Sequence, residues 1–199
     1  MKRLTSKLVI EYHEYMSRKF HFEIIEKNDS EWMPFVANAL ELLGVMDKDK
    51  FMQSFALTIV EPFTDSKFVY IPWRPGLDSK GIARLATLRK QVMILAHEVE
   101  HTIQGEEIDW GPRYFVSKSF RANQEALAMH AELELGFYLT GKPLNTTALA
   151  NRLKYYRVRS RDIRVTKKHL DLYNKIVARG AVGSEAGKAA IKWLKKRVK

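Results

Sequence analysis

Apolar residues recur with a helical period at Leu4, Leu8, Tyr12, Tyr15 and Met16, which predicts an amphipathic helix over residues 4–20. Residues 31–44 predict a second helix, capped by Ser30 and closed by Gly44. The period then changes. Phe55 to Val60 and Lys67 to Trp73 are rich in β-branched and aromatic residues. Glu61-Pro62-Phe63-Thr64-Asp65-Ser66 between them is turn chemistry, so the two runs predict a β-hairpin that Trp73-Arg74-Pro75-Gly76 ends. From Ile82 to Gln104 the pattern is helical again, with Val92, Leu95, Ala96, Val99 and Ile103 on one stripe and Gly105 as the stop. Residues 106–118 read as a loop around Trp110-Gly111-Pro112, and a further helix is expected from Ser119 to Thr140, broken by Gly141-Lys142-Pro143. The remainder reads as two or three basic helices interrupted at Gly180 and Gly183. The class that follows is α+β, mostly helical, with a small antiparallel sheet.

Composition narrows the chemistry. A chain of 199 residues with 46% hydrophobic and 29% charged residues is of globular type, and one domain is the default. There is no cysteine, so disulfides, thiol nucleophiles and thiolate metal sites are excluded, and any metal must be held by His, Asp or Glu. No apolar run approaches the ~20 residues that a bilayer needs. The first residues are too broken by charge to read as a signal peptide, so a cytoplasmic location is expected and a membrane partner is not.

The net charge of +11 is unevenly spread. Residues 151–199 hold 16 basic and 3 acidic residues, whereas residues 1–150 are net −2. This divides the chain into a body, 1–150, and a basic helical extension, 151–199, packed on the same domain. The asymmetry points to nucleic acid or another polyanion as a partner, against the plainer reading of a solvated surface.

One segment carries recognisable chemistry. Ile94-Leu95-Ala96-His97-Glu98-Val99-Glu100-His101 contains His-Glu-x-x-His in a strongly periodic helix. Residues four apart share a helix face, so His97 and His101 can bind one ion while Glu98 serves as a base. Glu100 is expected to be an exposed residue with no special role. A third protein ligand is needed. No third histidine follows, since Glu107 occupies that position, and the ligand is expected from the next helix. Glu125 is the first candidate, with His130 and Glu132 behind it.

The run Leu95-Ala96-His97-Glu98-x-x-His101-x-x-Gln104 resembles the active helix of zincin metallopeptidases. The likeness is to the gluzincin type and to small metallopeptidases of bacteria and phages. It covers residues 67–135, with only the five-residue core specific. It implies a zincin-like fold, one zinc ion held by His97, His101 and Glu125, and Glu98 as general base in peptide hydrolysis. Tyr114, His130 and Tyr138 are candidates to stabilise the oxyanion. Members of that type place an aspartate four residues after the ligand glutamate to orient a histidine. Here Met129 stands at that position, and Glu132 is the carboxylate available instead. The strand at 67–73 could hold an extended peptide by strand addition, with Pro72 limiting its pairing.

Three other features carry less. Gly183-Ser184-Glu185-Ala186-Gly187-Lys188 is one residue short of a phosphate loop. Asn145-Thr146-Thr147 reads as a helix cap. Tyr155-Tyr156 reads as half-buried core rather than a base-stacking pair. His13, His21 and His169 read as isolated structural or surface residues.

Overall fold

The structure, a computed structural model, describes residues 3–44, 46–61, 64, 66–77, 87–107 and 110–198. Helix α1 (Ser6–Phe20) is capped by Thr5, whose side chain accepts from Leu8 N–H. It runs into strand β1 (Glu23–Glu26) and a short 3-10 turn, Lys27–Asp29. Helices α2 (Met33–Leu42) and α3 (Lys48–Ser54) precede β2 (Leu57–Val60) and β3 (Lys67–Ile71). Then come α4 (Leu88–Gln104), α5 (Trp110–Val116) and α6 (Lys118–Thr140). Three more helices complete the chain: α7 (Thr146–Arg152), α8 (Ser160–Val177) and α9 (Glu185–Lys195). The fold is α+β and mostly helical.

The sheet differs from the expected one. It is mixed, in the order β1-β3-β2. The expected hairpin is present, with Leu57 opposite Tyr70 and Val60 opposite Lys67. β1 adds a parallel partner, pairing Glu23 with Phe68 through Glu26 with Ile71. β3 is therefore central rather than an edge, and Pro72 lies beyond its end. The loop expected over 106–118 contains α5. Pro112 sits in the first turn of α5, where the missing N–H has no intrahelical partner to lose. The helix start placed at Ile82 and the turn residues Pro62, Phe63 and Asp65 lie outside the described residues. Asn145 caps α7 as read, accepting from Ala148 N–H.

Two clusters form the interior, and α6 contributes to both, with Ala131 and Leu135 in one and Met129 and Leu133 in the other. One joins Val9, Tyr12 and Met16 of α1 to Val69, to Val92 and Leu95 of α4, and to Trp193 and Leu194 of α9. The other joins Met33, Phe51, Met129, Leu133, Leu153 and Leu170. Eleven of the seventeen residues of α4 are buried, so it is a core helix rather than a surface one. A polar residue on α4 is thus held in a dry interior unless it faces a cavity. The boundary drawn at residue 150 falls inside α7, and α9 fills the first cluster with Ala186, Ala190, Ile191 and Trp193. No helix among the described residues is long and apolar enough to cross a membrane.

Candidate metal centre

His97 and His101 lie one turn apart on α4 and face α6. Their Nε2 atoms are 3.2 Å apart. Glu125, in the second turn of α6, brings its carboxylate to both: Oε2 is 3.4 Å from His97 Nε2 and Oε1 is 3.2 Å from His101 Nε2. All three residues are buried. Four-coordinate divalent ions hold N and O ligands at 2.0–2.2 Å, which separates neighbouring donors by about 3.3 Å. The observed spacings match that edge length. Glu125 Oε2 is buried with no hydrogen-bond partner. Its close polar neighbour is His97 Nε2 at 3.4 Å, and a cation at the convergence point would satisfy an oxygen that is expensive to leave in a dry interior.

Both rings are oriented by acceptors behind them. His101 Nδ1 is 2.7 Å from Gln104 Oε1, and Gln104 in turn donates to the Gln124 carbonyl. His97 Nδ1 is 2.8 Å from Glu132 Oε1, a close charged contact rather than a straight hydrogen bond. Acceptors behind both Nδ1 atoms favour the tautomer in which each Nε2 could offer its lone pair to an ion. Glu132 is anchored by Arg152, whose Nη1 donates to both carboxylate oxygens at 2.7 and 2.6 Å. Met129 is a buried core residue, and Glu132, two turns after Glu125, does the orienting instead.

The electrostatics follow from this packing. Burial alone would lower His97, but its contacts with Glu125 and Glu132 outweigh burial and hold it up at about 10. Burial would raise Glu125, yet His101 and His97 bring it well below the carboxylate range. The metal-free centre thus keeps a proton where a cation's charge would sit.

Glu98 follows His97 and is 4% exposed. Its Oε2 accepts from Thr58 Oγ1 on β2 at 2.9 Å. It lines a small cavity of about 50 Å³ shared with His101, Glu125 and Tyr114, and another of about 230 Å³. A longer cleft of about 440 Å³ runs over β2 between Val36 and Leu40 of α2 and Trp110 and Phe115 of α5. Leu57, Thr58 and Trp110 line both this cleft and the small cavity, so β2 is the strand beside the centre.

Of the remaining candidates, Tyr114 is at the centre, its hydroxyl donating to Glu125 Oε1 at 2.5 Å. Burial and the Glu125 charge raise its pKa well above the usual range, so it stays a donor. His130 and Tyr138 are not at the centre. His130 Nε2 meets His169 Nε2 of α8 at 2.7 Å, so neither histidine is isolated. Tyr138 is 13 residues past Glu125, about 20 Å along the helix, and packs against the first cluster. Glu100 is half-buried and accepts from Ala186 N–H at the start of α9, contrary to the expected exposed residue.

Some contributors had little signal in the sequence. Gln104 could be found as the i+3 neighbour of His101. Arg121, buried on α6, donates to the carbonyls of Tyr114, Phe115 and Tyr156 and so fastens α5 over the centre. Arg152 and Tyr156 come from the segment read as an extension, and nothing local marks them. Comparison with protein-family models, curated proteins and solved structures finds no match for this chain.

Proposed function

We propose that the protein is a zinc-dependent metallopeptidase that hydrolyses peptide bonds, with one zinc ion held by His97, His101 and Glu125. The observation that carries the reading is the convergence of three buried donors at 3.2–3.4 Å with Glu98 beside them in a cavity. Zinc, when bound, supplies a positive charge that polarises a carbonyl and acidifies water. The chain's own groups supply the rest. Glu98 takes the proton of the attacking water and passes it to the leaving amine. Thr58 fixes which Glu98 oxygen is free. Tyr114 holds the Glu125 carboxylate in place, and the dry surroundings strengthen each of these contacts. The free edge of β2, rather than β3, is where an extended peptide would add as a strand. The zincin resemblance and the cytoplasmic location expected from the sequence belong to the same proposal.

The test is peptide cleavage by the zinc-loaded protein beside its Glu98→Gln variant. Loss of cleavage by about 10²-fold or more with zinc retained supports the reading. Unchanged cleavage in the variant, or no cleavage by either form across a diverse peptide set, overturns it.

A second reading rests on a separate observation. Arg161, Arg164, Lys168, Lys175 and Arg179 on and beside α8 are exposed, and no described residue forms an ion pair with them. A non-catalytic module that binds nucleic acid or another polyanion would use this face. Its signature is affinity that falls steeply with salt.

A further inference from the structure

Arg152 does two things at once. It fixes Glu132 through Nη1 alone. Its other two nitrogens, Nε and Nη2, bond to no described residue. Those two form the side-on fork of a guanidinium, the geometry that grips a carboxylate with two parallel hydrogen bonds. The Arg152 side chain is 23% exposed while Glu132 behind it is 3% exposed, so the fork faces outward from a buried anchor. Arg152 lines the cavity of about 230 Å³ that Glu98 also lines.

The other walls have a consistent character. Lys50 brings a second cation, its ammonium 4.8 Å over the ring of Tyr155. Phe55, Ile94 and Tyr155 give an apolar side. At about 230 Å³ the cavity is smaller than the ~300–1,000 Å³ of ordinary ligand pockets, and it suits roughly one amino-acid residue. Two cations, an apolar wall and the general base in one small space describe a ligand with an anionic end, an apolar side chain and a reacting bond close by.

We propose that this cavity binds the C-terminal residue of a peptide, with the terminal carboxylate on Arg152 and Lys50, so that the protein removes C-terminal residues with apolar side chains. This rests on the metallopeptidase reading and deepens it. In the step, the oxygen of water bonds to the carbonyl carbon of the last peptide bond and the C–N bond breaks. Glu98 carries the water proton to the departing nitrogen. The products are a peptide shortened by one residue, with a new carboxylate, and a free amino acid.

The experiment uses an N-acetylated hexapeptide ending in phenylalanine, prepared as the free acid and as the amide. Binding of both to the zinc-loaded Glu98→Gln protein is measured by calorimetry, and product formation by the unsubstituted protein is followed by mass spectrometry. The expected result is that the acid binds at least about tenfold more tightly than the amide, and that Lys50→Ala reduces this ratio several-fold. Equal affinity for acid and amide, or no binding of either, overturns the proposal. The two readings fail separately. Internal cleavage of both peptides at one rate with equal affinities leaves a peptidase without a carboxylate site. Acid-selective binding without any cleavage leaves the carboxylate site and removes the peptidase.

Discussion

In the proposed centre a proton and a metal ion would compete for the ground between His97 and Glu125. His97 is held at about 10 because the Glu125 and Glu132 carboxylates outweigh the burial of its ring. Metal uptake near neutral pH should therefore expel a proton, with affinity rising with pH by up to about tenfold per unit below that value. Calorimetry in buffers of different ionisation enthalpy measures the proton released. Glu132→Gln removes the charge that orients His97 and leaves Arg152 facing a neutral amide, so metal affinity falls by about 10–100-fold in competition with a chromophoric chelator. Lys27 gives a second titration. It is fully buried, its Nζ donating to the Phe51 carbonyl at 2.8 Å. Burial pushes its pKa down to about 6, partly offset by the Glu98 charge. The folded-state value lies below the unfolded one, so the unfolded chain binds the extra proton. The resulting penalty is complete below about pH 6 and fades toward about pH 10.5. Lys27→Met should flatten this rise of stability with pH, read from denaturant midpoints across pH 6–10.

At the scale of elements, α9 is docked by the two helices that carry the candidate ligands. Glu134 of α6 accepts from the backbone N–H groups of Gly183 and Ser184 at 2.7 and 2.9 Å, and Glu100 of α4 accepts from Ala186 N–H at 2.7 Å. Two carboxylates from the ligand-bearing helices thus satisfy the start of α9, where the helix leaves its amides open. Gly187 is needed for this approach, since a Cβ there would run into the Glu134 carboxylate. Gly187→Ala should cost about 1–3 kcal/mol in a denaturation midpoint while leaving the metal ligands in place. Which elements were legible follows from their length and period. α4 and α6 are long and periodic, and the β2–β3 pair is flanked by turn residues. β1 is four residues, Glu23-Ile24-Ile25-Glu26, too short to alternate, and it exists because β3 offers it an edge. α5 was hidden by Gly111 and Pro112, whose turn chemistry is compatible with a helix's first turn.

At the scale of the molecule, the charge map and the fold map disagree. The basic residues of 151–199 mark this segment as an extension packed on the domain, and its apolar residues fill both core clusters while Arg152 reaches the candidate centre. Arg152 anchors Glu132, the Tyr156 carbonyl accepts from Arg121, and α9 packs beside α1 and α4. That His97 and His101 come together was readable because helix spacing alone places both on one face. Glu125 was reachable from its position on the next helix. Arg152 and Tyr156 were not, because their roles depend on tertiary return of the chain across α6. A chain ending at residue 150 should fail to fold cooperatively and bind no metal at stoichiometric level, seen by circular dichroism and metal analysis.

The central claim is a single ion held by His97, His101 and Glu125. Its most direct test is the zinc content of the protein and of Glu125→Ala after equilibrium dialysis, read by elemental analysis with folding checked by circular dichroism. The account predicts close to one zinc per chain in the protein and at least about a tenfold weaker affinity in the folded variant. Sub-stoichiometric zinc in the protein, or an unchanged affinity in the variant, would contradict it.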